Sequence, residues 1–267
     1  LIQTDLAASI QYMVDQEAGA VKAGRQQGLQ AARDAFYIGD IATKIVEYHK
    51  QNSGLMTAED MASYRTPIEE PLSINFRGTE VFSCRPWCQG PVLLQMLNIL
   101  NDIDLQRMGH NSTEYIHYLA ETIKLSFADR ERYYGDPNYV NVPIEQLLSF
   151  EFAKKRQQNI DPTKAWPEMP SAGVIKGFEE TSIVSNTNSA PSFSDPDTSY
   201  TCAMDKDGNV CSITPSDVSF ESPVIPGLGF CPSARGSQSF AIRGHASEIA
   251  PGKRPRLTPN PAMALRR

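Results

Sequence analysis

The chain has 267 residues, 40% of them hydrophobic and 21% charged, the composition of an ordinary globular protein with room for one large or two modest domains. A formal net charge of -6 at pH 7 and a pI near 5.3 exclude the net basic face that phosphate backbones or anionic membranes require, so a small-molecule or peptide substrate is expected and nucleic acid is not. No stretch approaches the roughly 18 consecutive apolar residues of a membrane span, and Leu1-Ile2-Gln3-Thr4-Asp5 lacks the basic-then-apolar order of a signal peptide.

In chain order, the first half reads as helical. Ala31-Ala32-Arg33-Asp34-Ala35-Phe36-Tyr37 leads into Ile41, Ile45, Val46 and Tyr48, with Gly54 as the expected C-cap. Thr57-Ala58-Glu59-Asp60 sets a capping hydroxyl before two carboxylates, the signature of a second helix start. Pro67 and Pro71 break the helical pattern. Leu72 to Phe76 then alternates apolar and polar residues, and Glu80-Val81-Phe82 resumes beyond Arg77-Gly78, which predicts a hairpin.

The run from Pro91 to Leu100 is apolar nearly all round, as expected of a helix packed on most sides within a core. Asn111 to Glu114 resembles a capping box, and Ile116, Leu119, Ile123 and Phe127 follow at helical spacing as the expected buried face. That helix should end near Asp129-Arg130-Glu131-Arg132, a run expected to form a solvated or ion-paired face without chemistry. Beyond Trp166 the chain turns to Pro, Ser, Asn, Thr and Gly, the composition of an exposed, mobile linker. It runs into Thr198 to Met204, a strand candidate that turns through Asp205 to Asn209 into Val210-Cys211-Ser212-Ile213-Thr214.

Five cysteines, Cys84, Cys88, Cys202, Cys211 and Cys231, are too few and too odd a set for a disulfide framework. The four histidines do not cluster around Cys84 and Cys88, so those two are expected as buried thiols and no metal is expected. Asn111-Ser112-Thr113 matches a glycosylation sequon, and the same residues serve equally as a helix cap. No GxSxG elbow, HExxH helix, Walker loop or GxGxxG fingerprint is present. A threonine opening a strand is by itself explained by β-branching.

Several blocks together resemble the gamma-glutamyltranspeptidase family. Ala35-Phe36-Tyr37-Ile38-Gly39-Asp40-Ile41-Ala42, Gly54-Leu55-Met56-Thr57-Ala58-Glu59-Asp60, Phe127-Ala128-Asp129-Arg130 and Tyr134-Gly135-Asp136-Pro137 look like its late large-subunit region. The segment from Thr198 to Asn209 looks like the start of its small subunit, and Gly252-Lys253-Arg254-Pro255 resembles its later basic-proline signature. The resemblance implies an α+β chain carrying part of the four-layer αββα N-terminal-nucleophile hydrolase fold, made as a precursor that cuts itself between Asp197 and Thr198. It divides the chain into a late large-subunit region at 1–166, a linker at 167–197 and a β-rich start of the small subunit at 198–267.

On that resemblance Thr198 is the nucleophile and its freed α-amino group the base, no cofactor is needed, and Ser216 supports the nucleophile. The implied substrates are gamma-glutamyl amides such as glutathione. The implied partners are the remaining segments of the same precursor, including an upstream arginine and a downstream glycine pair. The compartment stays open between periplasmic or extracellular and cytoplasmic. The chain departs from the family where Ser199-Tyr200 stands for Thr-His, where Gln238-Ser239 replaces the acids expected to hold the substrate amino group, and where Leu257-Thr258 replaces paired serines. These changes keep open an acylase-like hydrolase of the same fold and an inactive, unprocessed homologue. Arg235 is a candidate to grip a substrate carboxylate, against the alternative of a merely solvated side chain.

Overall fold

The computed structural model describes residues 2–178, 198–217 and 222–266, so Asp197, and with it the scissile bond, lies outside the described residues. The elements in chain order are α1 (Thr4–Ala20), α2 (Arg25–Tyr37), α3 (Asp40–Gln51), α4 (Ala58–Ser63), β1 (Leu72–Phe76), β2 (Thr79–Ser83), α5 (Gly90–Leu100), α6 (Leu105–Met108), α7 (Thr113–Tyr133), α8 (Ile144–Leu147), α9 (Phe150–Gln157), β3 (Thr201–Met204), β4 (Val210–Ile213) and β5 (Ala262–Arg266). Two compact units divide them. One comprises Leu1–Ile68 with Asp217–Ala234, the other Glu69–Ser216 with Arg235–Arg267.

The first unit is helical. Ile41, Ala42, Ile45 and Met61 bury their side chains with Ile225 and Leu228 of the returning segment. That segment fits closely against α1: Ser9 Oγ donates to the Leu228 carbonyl at 2.9 Å, and Gly229, at φ +75°, lies where a Cβ would collide with the Leu6 backbone. The single helix expected over 31–48 is two. Ile38 leaves helical geometry and the Gly39 N–H closes on the Asp34 carbonyl, so the chain restarts at Asp40. The expected glycine C-cap is displaced by one residue. Ser53 takes the left-handed position at φ +59°, and Gly54 instead donates its N–H to the His49 carbonyl, which makes a Schellman ending. The start at Thr57 is a full capping box, with Asp60 N–H on Thr57 Oγ1 at 3.1 Å and Thr57 N–H on Asp60 Oδ2 at 2.8 Å.

In the second unit β1 and β2 form the expected hairpin, closed by Arg77 at φ +53° and Gly78 at φ +82°, the two positive values a type I′ turn requires. β5 joins the other edge of β2, also antiparallel, giving the order β1-β2-β5. α5 packs on this sheet through Leu94, which is buried with Ile74 and Val81. Full burial of such a side chain contributes about 1.5–3 kcal/mol. Behind α5, Val92, Tyr133, Tyr134, Leu147, Phe152 and Ile175 form a second cluster, so α5 lies on the sheet and α7 and α9 pack on α5.

Two expectations fail in this unit. The face of α7 predicted to be buried is only partly so: Phe127 packs against the core and Leu119 is half-buried, but Ile116 and Ile123 are exposed, while Glu121, Thr122, Leu125, Ser126, Ala128 and Asp129 are buried. Glu121 and Asp129 have partners there, Lys124 and the Trp166 N–H for the first and Gln95, Arg156 and the Gly173 N–H for the second, whereas the buried Thr122 and Ser126 hydroxyls make no hydrogen bond. The expected linker is also not loose from Trp166 onward. Gly173 donates its N–H to Asp129, its carbonyl accepts from the Tyr133 hydroxyl, and Ile175 is buried. Residues 179–197 lie outside the described residues.

Candidate functional site

β3 and β4 pair antiparallel through a loop organised by Asp205, whose Oδ1 accepts the N–H groups of Asp207 and Asn209, both at 2.9 Å. Gly208 at φ +84° completes the reversal. The ladder begins at Thr201 rather than Thr198, because Thr201 is the first residue with a partner, Ile213. Thr198 is exposed and outside any regular element, three residues earlier. The ladder ends at the Thr201–Ile213 pair: residues 198–200 and 214–217 belong to no strand, and the Ser216 N–H turns back on the Thr214 carbonyl at 2.9 Å.

Two residues after Thr198, the Tyr200 hydroxyl fastens the hairpin to β5. Tyr200 Oη lies 3.0 Å from Ser212 Oγ and donates to the Ala262 carbonyl at 3.4 Å, while Ser212 Oγ accepts the Ala262 N–H at 3.1 Å. With Tyr200 donating to Ala262, the Ser212 hydroxyl donates to Tyr200, and each hydroxyl proton has a target. The sequence marked Tyr200 only as a departure from the family pattern and did not single out Ser212. The alternation in β4 was the available signal, since it separates Ser212 from its neighbours in the strand.

Ser216, Arg235 and Thr258 come together from three separate segments. Arg235, on a 3-10 turn spanning Arg235–Gln238, is only 9% exposed. Its Nη1 donates to Thr258 Oγ1 at 3.0 Å, and its Nη2 donates to both the carbonyl and the hydroxyl of Ser216, at 2.9 and 3.1 Å. Gln238 ends this turn and Ser239 follows it; both are half-buried, with the Ser239 N–H on the Gly236 carbonyl. Phe240 anchors the end of this segment, stacked on His245 at 4.1 Å between ring centres and beneath the Arg256 guanidinium.

The motifs that carry the resemblance have structural partners. In the basic-proline signature, Arg254 donates to Asp136 and Glu69, both at 2.8 Å, and lies over the Trp87 ring. Burial pushes the Asp136 carboxyl up, but the Arg254 bonds outweigh it and hold it below the usual range. At Gly135 a Cβ would strike the Ala246 carbonyl oxygen. The charged run at the end of α7 is ion-paired, as expected, with Asp129 buried and the other three half-buried. Asp129 lies 3.1 Å from Arg156 Nε, and Glu131 meets His245 and Arg256.

An apolar cavity of about 550 Å³ opens beside Ser212 and Ala262, lined also by Phe82, Cys84, Met263 and Leu265; it does not include Thr198, Ser216 or Arg235. Cys88 is buried and Cys84 half-buried, and the hydrogen bond from Cys88 lowers the Cys84 thiol to about 7. Among the described residues no three His, Cys, Asp or Glu side chains gather where they could hold a metal ion, and no helix is long and apolar enough to cross a membrane.

A family model described as gamma-glutamyltranspeptidase matches residues 18–267. The glutathione hydrolase proenzyme of Escherichia coli (strain K12) is 29% identical over 279 residues, covering 100% of this chain and 43% of its own length. The acylase ACY 1 proenzyme of Pseudomonas sp. (strain SE83) is 31% identical, covering 100% of this chain and 42% of its own. The crystal structure of cephalosporin acylase from Bacillus halodurans superposes with a TM-score of 0.72 at 28% identity, covering 93% of this chain and 41% of that one. The chain therefore spans less than half the length of these relatives.

Proposed function

Because the chain belongs to the gamma-glutamyltranspeptidase family and carries part of the N-terminal-nucleophile hydrolase fold, we propose that it is the central portion of a self-cleaving precursor of an amide hydrolase or acyltransferase whose nucleophile is Thr198. The observation that carries this reading is the β3–β4 hairpin: an exposed threonine stands three residues before its first strand.

Maturation follows from one hydroxyl and one carbonyl. Thr198 Oγ1 attacks the Asp197 carbonyl carbon, the acyl group moves from nitrogen to oxygen, and water opens the resulting ester. This frees the Thr198 α-amino group. Such a group titrates at about 7.7–8.0, so a useful fraction is neutral near physiological pH and accepts the hydroxyl proton in turnover. The acyl-enzyme formed on Thr198 is then resolved by water or by an acceptor amine. Remaining segments of the precursor complete the site. An oxyanion hole contributes about 2.7–4 kcal/mol per donor, so its glycine pair decides much of the rate.

The default substrates are gamma-glutamyl amides such as glutathione. A second reading, an acylase-like hydrolase without glutamyl specificity, is favoured by one observation: Gln238 and Ser239 stand where acids would hold a substrate amino group. The full-length protein assayed with a gamma-glutamyl anilide beside simple acyl anilides separates the two. Preferential release from the glutamyl compound supports the default, and release from acyl anilides alone assigns the acylase reading.

A further inference from the structure

We propose that Cys84 and Cys88 form a reactive dithiol that hydroperoxides oxidise to a disulfide, with Cys84 the sulfur that reacts first and Cys88 the one that resolves it. The two bracket a tight turn between β2 and α5, closed by the Cys88 N–H on the Arg85 carbonyl at 2.9 Å. A disulfide needs Cα atoms within about 7 Å of each other. The turn folds the chain back far enough for the Cys88 thiol to donate to Cys84. The pair differs in access: Cys84 lines the apolar cavity beside Ser212 and Ala262, whereas Cys88 is 2% exposed.

Cys84 Sγ also lies at the start of α5. A Cβ on Gly90, the first residue of that helix, would come within 2.7 Å of the sulfur, so the glycine leaves it room against the unpaired N–H groups of the first turn. Accepting from Cys88 and from the Gly90 N–H holds the Cys84 thiol at about 7 against the upward push of burial, which makes much of it thiolate at neutral pH. The same bond, and then burial, push Cys88 up, so Cys88 keeps its proton while Cys84 is an anion. Arg254 and Arg130 bring positive charge to bear on Cys88, with Glu69 opposing them.

These placements set the order of the chemistry. The Cys84 thiolate attacks the outer oxygen of a hydroperoxide; the S–O bond forms, the O–O bond breaks, and the departing oxygen takes up the proton that Cys84 had lost. Cys84 becomes a neutral sulfenic acid, which removes the anion and the hydrogen bond that kept Cys88 protonated. Cys88 Sγ then attacks Cys84 Sγ, and the hydroxyl leaves with the Cys88 proton as water. Two electrons pass from the sulfur pair to the peroxide, and the products are the disulfide, water and an alcohol, or a second water when the oxidant is hydrogen peroxide.

Peptide mapping of the full-length protein tests this. The protein is reduced, freed of reductant and treated with hydrogen peroxide at pH 7; remaining thiols are blocked with iodoacetamide and the digest is kept unreduced. The segment bearing Cys84 and Cys88 is expected to lose the mass of two hydrogens, and chymotryptic cutting after Trp87, between the cysteines, to leave its halves joined until dithiothreitol is added. Half ionised at pH 7, Cys84 carries about fifteenfold more thiolate than a model-peptide thiol at about 8.5, and its lower nucleophilicity takes back about fivefold, so it is expected to react about threefold faster than that peptide. Cys88→Ser is expected to stop at the sulfenic acid, captured on Cys84 by dimedone, and Cys84→Ser to leave Cys88 unoxidised. Both thiols surviving peroxide that consumes the model peptide, Cys84 passing to sulfinic acid with Cys88 still free, or Cys84 pairing with another cysteine overturns the proposal. The linkage is read in the unaltered sequence, so the result stands even where a variant does not fold, and it is independent of Thr198.

Discussion

At Asp129 a carboxylate with no exposed surface faces Arg156, itself 5% exposed. Burial pushes the Asp129 carboxyl up to about 6 against the pull of Arg156, and burial likewise lowers the guanidinium, so desolvation outweighs attraction on both sides. What keeps the pair is its saturation: Asp129 also accepts from the Gly173 N–H at 2.7 Å and from Gln95, whose carbonyl oxygen takes the Tyr134 hydroxyl. Asp129→Ala or Arg156→Ala alone strands a buried charge and is expected to cost about 3–5 kcal/mol in urea unfolding, whereas the double change Asp129→Leu/Arg156→Met costs distinctly less. Equal losses for the single and double variants would show the pair to be net stabilising. The sequence revealed charges that would pair. It did not reveal that they would pair inside, although Glu121, Thr122, Ser126 and Asp129 recur at helical spacing as a polar stripe.

At the scale of elements, legibility followed how local the cause was. The β1–β2 hairpin, α5 and the Thr57 capping box all rest on neighbours within four residues, and each stands where the pattern put it. The break between α2 and α3 and the buried face of α7 depend on what packs against them, which periodicity does not report. The end of α3 is an intermediate case. A glycine was expected at the cap, but the left-handed residue is Ser53 at φ +59°. Ser53→Gly is therefore expected to raise stability by about 1 kcal/mol, because the left-handed penalty on an L side chain exceeds the added chain entropy of glycine. Thermal unfolding checks it, and an unchanged or lower Tm would mean that the Ser53 side chain compensates for its conformation.

Over the whole molecule, distance along the chain hid most of what matters. Residues 222–234 build one core with α1 and α3, and Ser216, Arg235 and Thr258 meet from segments up to 42 positions apart. No local pattern predicts such meetings. The candidate nucleophile was legible only through the family blocks, and its exposed position ahead of the β3–β4 hairpin is what the coordinates add. Thr198 as an N-terminal nucleophile is the claim on which the enzymology depends. N-terminal sequencing of the purified full-length protein after prolonged incubation tests it most directly: two chains are expected, one opening Thr-Ser-Tyr, and only a single chain with Thr198→Ala. A parent that stays one chain, or one that opens at another residue, would contradict the account.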